Sequence, residues 1–162
     1  MFDIYAYGEK LARTLKAIGH TDNQCRFYEA TDQTELHELE QNISSAQGTI
    51  LIAIDGQMSG FSFDADSLIE KPVHSIVIAK QTQSTNAKTI TLAQKECKAI
   101  MDQVVAKILN DAFIHNDECD KVDVNTMTID GFGPIAGVFY GVILSFSLNE
   151  GVNFMLKSEY WK

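Results

Sequence analysis

Few stretches of this 162-residue chain have residue types that could carry out chemistry, and the first is GQMSG at residues 56–60. A nucleophile elbow places its serine at the third position of G-x-S-x-G, between a strand and a helix, so that the hydroxyl is presented for attack. Here Ser59 stands at the fourth position and no helical pattern follows it. We therefore predict that this stretch is a β-turn and not a catalytic site.

A second glycine-rich stretch, GFGPIAG at residues 131–137, has the composition of a phosphate loop. A dinucleotide site needs G-x-G-x-x-G at the start of a helix, because the backbone amides and the helix dipole must point at the phosphate. This stretch has a longer final spacing and precedes a strand pattern. It is predicted to be a flexible connection.

Carboxylates gather in one predicted loop, at Asp117, Glu118, Asp120 and Asp123. A calcium loop needs oxygen ligands at defined positions and a glycine at its sharp turn, and this loop has no glycine. We predict a solvated acidic loop, with a weak cation site as the alternative. Asp64 and Asp66 are interpreted in the same way.

The histidines and cysteines form no recognised metal-binding pattern. Zinc sites use closely spaced cysteines or histidines, whereas these residues are widely separated: His20, His37, His74, His115, Cys25, Cys97 and Cys119. We predict surface or capping histidines, reduced thiols, and no catalytic, cofactor or metal residue. Carboxylates that the fold brings together from distant positions remain an alternative.

The overall composition predicts one globular domain covering residues 1–162. Apolar content is 45%, and the net charge is −9. Such a charge disfavours sequence-independent DNA binding, which needs basic residues against phosphate, and disfavours anionic membrane surfaces. No signal-peptide pattern and no apolar stretch of about 20 residues are present. We therefore expect neither secretion through a signal peptide nor a membrane protein.

Hydrophobic periodicity predicts the elements that must position any site. Helices are predicted at residues 2–18, near 34–45 and at 90–113, and strands at 25–30, 49–55, 73–80, 122–130, 136–148 and 152–156. Residues 62–72 are predicted to be a loop or irregular edge, and an apolar phase slip between Val124 and Met127 predicts a bulge. Short connections favour an α+β fold, with a mainly antiparallel sheet packed against one long helix plus an N-terminal helix.

The remaining unusual feature is a surplus of aromatic side chains in predicted loops or on the second phase of strands. They are Phe61, Phe63, Phe132, Phe139, Phe154, Tyr160 and Trp161. We predict that they form a self-association surface, because aromatic residues are enriched at protein interfaces. On this prediction, Phe139→Asp impairs assembly more than folding. The alternative is that the first helix and residues 57–70 cover the second sheet face within one chain.

The order and size of these elements resemble those of the tail-terminator and tail-completion proteins of long-tailed bacteriophages. The segments that carry the resemblance are FDIYAYGEKLARTLKAI, TILIAID, VHSIVIAK, LAQKECKAIMDQVVAKILNDAF, VDVNTMTID and AGVFYGVILSFSL. The small helix near 34–45 and the final VNFMLKSEYWK depart from the simplest form of that pattern.

The resemblance implies a structural, non-enzymatic subunit of the virion tail, made in the host cytoplasm. Proteins of that family form homo-oligomeric rings, often hexameric, which cap the tail tube and contact the head connector. It implies no cofactor, no sequence-specific nucleic-acid binding and no membrane partner. An acidic surface lining such a ring would repel DNA and let it slide.

Two other functional classes remain open at this point. One is a cytosolic α+β enzyme or ligand-binding domain whose site is assembled from distant residues, which a deep polar pocket with perturbed titratable groups would favour. The other is a monomeric adaptor that binds an unrelated protein through an exposed strand edge.

Overall fold

The computed structural model of the protein describes residues 2–31, 39–43, 46–83, 86–114, 119 and 121–162. Its helices are α1 (Ile4–Thr14), α2 (Glu40–Ile43) and α3 (Ala87–Phe113), with a 3₁₀ turn at Ser158–Tyr160. Its strands are β1 (Phe27–Ala30), β2 (Thr49–Asp64), β3 (Ser67–Gln81), β4 (Val122–Ile135), β5 (Phe139–Leu148) and β6 (Glu150–Gly151). No helix within these ranges is both long and apolar enough to cross a membrane.

The strands form one mixed sheet in the order β1-β2-β3-β5-β4, and β6 pairs with β3 beyond the end of the β5 pairing. β1 runs parallel to β2, and every other pair is antiparallel. The predicted α+β class, with a mainly antiparallel sheet, a long helix and an N-terminal helix, is therefore confirmed. The predicted bulge in β4 is also confirmed, because the β4–β5 register shifts between Asp123 and Thr128.

One face of the sheet packs against α1 and α3. The Asp3 carboxylate accepts hydrogen bonds from the backbone N–H groups of Tyr5 and Ala6, which fixes the start of α1. A Cβ at Gly8 would lie 2.9 Å from the Ala53 Cβ, so glycine allows the helix to approach β2 closely. The buried residues of this face include Leu51, Ile76, Leu144 and Phe146 from the sheet, and Met101 and Val104 from α3.

The second face of the sheet is covered by α2, Ala46 and the β4–β5 turn. Ile43 and Ala46 lie on one side of this cluster and Ile135 and Phe139 on the other, over the buried side chains of β2 and β3. The alternative that one chain covers the second sheet face by itself is therefore correct for this cluster. The covering segments that it named, the first helix and residues 57–70, are wrong. α1 packs on the opposite face with α3, and residues 57–70 belong to β2 and β3.

A buried polar network joins α1 to the end of α3. The Tyr7 hydroxyl donates to Asp111 Oδ2 at 2.9 Å, and Lys107 Nζ donates to Asp111 Oδ1 at 2.5 Å. Burial raises the pKa of Asp111, but these two hydrogen bonds outweigh it and hold the pKa below its ordinary value. The pKa of Tyr7 is raised, chiefly by burial and also by nearby Cys119 and Asp111. The network fixes the N-terminal helix against the long one.

Several sequence predictions of local structure are wrong at the ends of elements. The GQMSG stretch is strand rather than turn, and residues 62–72 are strand apart from the turn at residues 65–66. The predicted strand at 152–156 does not form. The helix predicted at 2–18 ends at Thr14. Of the helix predicted near 34–45, residues 34–38, 44 and 45 lie outside the described residues, and α2 occupies Glu40–Ile43.

Candidate assembly surface

The far halves of β2 and β3 form a hairpin that extends past the rest of the sheet; we call residues 58–64 and 67–72 the hairpin arm. It starts at an irregularity in β2, where the register shifts between Ile54 and Met58. The Asp55 carboxylate accepts hydrogen bonds from the backbone and side-chain nitrogens of Gln57 there, and Gln57 has a φ of 53°. A tight turn through Ala65, with a φ of 52°, closes the arm.

The hairpin arm exposes large apolar side chains. Phe61 is 58% exposed and Phe63 is 76% exposed. Because side chains alternate along a strand, these two rings lie on one face of the arm, and Met58 is exposed on the other. An arm that is accessible on both faces contributes little apolar burial to this chain.

The first residues of the C-terminal segment, residues 152–162, lie beside the hairpin arm. β6 pairs Gly151 with Ile69, and the Val152 N–H donates to the Leu68 carbonyl oxygen at 3.3 Å. The Phe154 ring meets the Phe61 ring edge-to-face, with the centroids 5.8 Å apart. The segment adds further exposed apolar side chains at Met155, Leu156, Tyr160 and Trp161. The Phe61–Phe154 contact therefore joins the C-terminal segment to the aromatic face of the arm.

The outer backbone edge of the arm has no partner strand within the described residues. β1 pairs with β2 only over residues 51–54, so the β2 half of the arm is paired on one side only. Unpaired N–H and C=O groups on an exposed edge are a template for another strand. The arm therefore offers hydrogen-bonding groups beside its apolar side chains.

The residues predicted to form the self-association surface fall into three groups. Phe61, Phe63, Phe154 and Trp161 lie on the arm and the C-terminal segment and are exposed, as is Tyr160. Phe132 is half-buried and packs against the second-face cluster. The prediction for Phe139 is wrong, because its exposed fraction is 0% and it lies inside that cluster, where the β4–β5 turn covers it.

The two glycine-rich stretches, GQMSG and GFGPIAG, contribute to strands of the sheet. Ser59 lies in β2 opposite Pro72, and residues 131–135 continue β4 through a cis Gly133–Pro134 bond with no helix after it. A nucleophile elbow needs a serine between a strand and a helix, and a phosphate loop needs a helix N-terminus. Neither stretch has that arrangement. Ser59 and residues 131–135 are therefore parts of the sheet.

The acidic and histidine residues are also dispersed. Within the described part of the chain, no group of three His, Cys, Asp or Glu residues is placed to hold a metal ion. Asp123 pairs with Lys71 at 3.1 Å, and Asp64 and Asp66 are exposed at the end of the arm. Asp117, Glu118, Asp120, His37 and His115 lie outside the described residues.

His74, predicted to be a surface or capping histidine, is buried. It lies at the base of the arm, with the Phe2 and Phe146 rings against it. Its Nδ1 is 3.9 Å from Asp55 Oδ1 and has no hydrogen-bond partner. Burial lowers the pKa of His74, although the carboxylates of Asp55 and Glu150 oppose the shift. No sequence signal marks this position, since it depends on which strand face meets Phe2.

Comparison with known proteins finds no matching family model and no significant match among curated proteins or solved structures.

Proposed function

We propose that this protein is a structural subunit that assembles with copies of itself and caps a phage tail tube, as the tail-terminator proteins that it resembles do. The observation that carries the proposal is the hairpin arm with the adjoining C-terminal segment. Eight of the twelve exposed large apolar side chains of the described residues lie there: Met58, Phe61, Phe63, Phe154, Met155, Leu156, Tyr160 and Trp161. Apolar side chains concentrated in this way are typical of an interface.

The size of the apolar surface supports a stable contact. A standard protein interface buries about 800 Å² on each partner. A large aromatic side chain can bury about 150–250 Å², so eight side chains that are each more than half exposed can supply most of that area. The outer edge of the β2 half of the arm, which has no partner strand among the described residues, allows inter-subunit strand pairing.

The contact would join unlike surfaces of neighbouring copies. The arm projects from one end of the sheet, and such a projection meets a different patch on its neighbour when copies follow one another around a rotation axis. Heterologous contacts of this kind close into a ring when the rotation closes. The proposal is therefore a ring of identical subunits, of which the hexamer is the expected form, without catalytic activity or a cofactor, placed between the tail tube and the head connector.

The test is the molar mass of the protein by size-exclusion chromatography with light scattering, over increasing concentration. The variant carries Phe61→Ser and Phe63→Ser, and the matched control carries Phe113→Ser, which removes an equally exposed phenylalanine from the end of α3. Negative-stain electron microscopy of the largest species reports whether rings form.

We expect the wild type and the Phe113 control to assemble, and the double variant to stay monomeric with an unchanged circular dichroism spectrum. A wild type that stays monomeric at every concentration would contradict the proposal. Assembly of the double variant as tight as that of the wild type would contradict the role of the arm.

A further inference from the structure

The aromatic face of the hairpin arm carries carboxylates without a described cation to balance them. Glu70 lies directly opposite Phe61 in the β2–β3 register, and β6 places Glu150 directly opposite Glu70. Like charges at directly opposed positions destabilise a strand pair. Lys71, the one basic residue of the arm, makes its ion pair with Asp123 instead. Within the described residues, neither glutamate has an ion pair, so a basic partner from another molecule would relieve this repulsion.

The first turns of α3 carry basic side chains beside an apolar one, whereas the arm carries carboxylates beside aromatic rings. We call Lys88, Leu92 and Lys95 the α3 patch. These residues are four and three positions apart, so they lie on one side of the helix. Leu92 is 58% exposed, and both lysines are exposed. A surface cleft runs along them, lined also by Ala87 and Thr91.

The lysines of the α3 patch are available to a partner. Other lysines near this half of α3 are already paired, Lys80 with Glu96 at 2.5 Å and Lys98 with Asp102. Lys88 and Lys95 have no ion pair to any described residue, although the chain carries 22 acidic residues. Leu92 between two lysines that have no described ion-pair partner is thus complementary to an aromatic ring beside two carboxylates.

One copy of the chain cannot make this contact by itself. The arm lies at the Ser67 end of β3, whereas α3 begins beyond the Gln81 end of the same strand. The 15 residues of β3 span about 45 Å at about 3.3 Å per residue. The two complementary surfaces therefore lie at opposite ends of the molecule.

We infer that the aromatic face of the hairpin arm of one copy docks on the α3 patch of the next copy, with the arm carboxylates facing the two lysines. This inference rests on the proposed function and names the surface that receives the arm. The partner is a second copy of this chain, because the complementary charges and apolar groups are both present on it at opposite ends. The contact is head-to-tail, which produces a ring or an open filament.

The test is site-directed cross-linking between two populations of the full chain. Both carry Cys25→Ser, because Cys25 is exposed whereas Cys97 and Cys119 are buried. One carries Ser67→Cys at the end of the arm, and the other carries Thr91→Cys beside the α3 patch. Both positions are exposed and leave the phenylalanines and Leu92 intact. A short bismaleimide is added to the mixture and to each population alone.

A matched control replaces Thr91→Cys by Glu29→Cys, an exposed position on β1.

A second pair of variants tests the charges. Lys88→Glu with Lys95→Glu in the receiving copy should reduce the cross-link yield by about tenfold or more, because like charges then face each other. Glu70→Lys with Glu150→Lys in the arm copy should restore the yield with that reversed partner.

The expected result is a cross-linked dimer in the mixture of arm and patch populations, and little in either population alone or with the Glu29 control. Wild-type assembly without this cross-link, or with one that the lysine reversal leaves unchanged, would overturn the inference and leave the proposed function standing. A wild type that stays monomeric in light scattering would overturn both. Arm-to-arm cross-links in the Ser67→Cys population alone would indicate a symmetric contact and overturn the head-to-tail arrangement.

Discussion

Replacing Phe139 with alanine should destabilise the protein strongly, whereas replacing Phe63 should leave its folding almost unchanged. The Phe139 ring is fully buried in the second-face cluster, and the exposed fraction of Phe63 is 76%. A buried phenylalanine truncated to alanine costs about 3–5 kcal/mol, from lost transfer free energy and the cavity left behind. Substitutions at exposed positions usually change the free energy of unfolding by less than about 0.5 kcal/mol.

The magnitude for Phe139 should lie toward the upper end of that range. Ile135 of β4 and Ala79 of β3 belong to the same cluster. They cannot collapse into the space without moving the β4–β5 or β3–β5 ladder. For a protein whose total stability is about 5–15 kcal/mol, such a loss removes a large fraction and can unfold the chain at moderate temperature.

The assay is urea denaturation followed by far-ultraviolet circular dichroism, since Trp161 is exposed and is a poor reporter of core packing. Both variants should be measured at a concentration where light scattering shows monomers, because assembly adds concentration-dependent stability. A loss below about 1 kcal/mol for Phe139→Ala would refute the burial of this ring. A loss as large for Phe63→Ala would show that the arm is part of the folded core.

Three further changes test other parts of the account. Gly141→Ala should destabilise the sheet, because its Cβ would lie 1.8 Å from a backbone oxygen of β3. At Gly60, an added Cβ meets nothing within 4 Å, so Gly60→Ala should be neutral. The midpoints of urea unfolding compare the stability of the two variants. Tyr7→Phe should cost about 1–3 kcal/mol in the same assay, since buried Asp111 loses a donor. The free energy of unfolding should fall as the pH drops below about 6.5. Buried His74 has a lowered pKa in the folded protein, so the unfolded chain binds more protons than the folded one in this range. His74→Gln should reduce that fall.

Each of these changes has an outcome that would contradict its reasoning. Equal stability of the Gly141 and Gly60 variants would mean that β3 and β5 are farther apart than the register requires. An unchanged midpoint for Tyr7→Phe would mean that another donor replaces the hydroxyl. A pH dependence that is identical in the wild type and the His74 variant would assign the titration to other groups.

The core strands and the long helix could be predicted because their residues alternate or recur with the period of the element. TILIAID is apolar on both phases, and both of its faces are indeed covered. The phase slip in VDVNTMTID predicted the β4 bulge, which the register confirms. In these segments, burial alone determines the local pattern, so sequence reasoning is sufficient.

The arm could not be predicted, because its residues have turn composition and no burial to mark them. Glycine, serine and aspartate in residues 56–67 indicate loops, yet here they pair over the full length of the hairpin. Pro72 cannot donate a ladder hydrogen bond, and it lies between the residues of β3 that pair with β5 and those that pair with β6. Strand pairing rather than side-chain pattern determines this part of the fold.

The aromatic residues of the candidate assembly surface could be predicted from the sequence, but their place in the fold could not. The surplus of aromatic residues was visible, and five of the seven candidates lie on the arm and the C-terminal segment. The prediction that Phe139 is exposed was wrong because the β4–β5 turn and α2 bury the second face of the sheet. No local sequence pattern indicates a covering segment that is distant in sequence. The buried contact of Tyr7 with Asp111, 104 residues away, is beyond local reasoning for the same reason.

The central claim is that neighbouring copies bury the hairpin arm and the C-terminal segment. Hydrogen–deuterium exchange tests it most directly, with peptides from a dilute monomeric sample compared with those from a concentrated assembled one. Peptides covering residues 57–70 and 150–162 should gain protection on assembly, together with those at the start of α3. Assembly that leaves exchange in residues 57–70 and 150–162 unchanged would contradict the account.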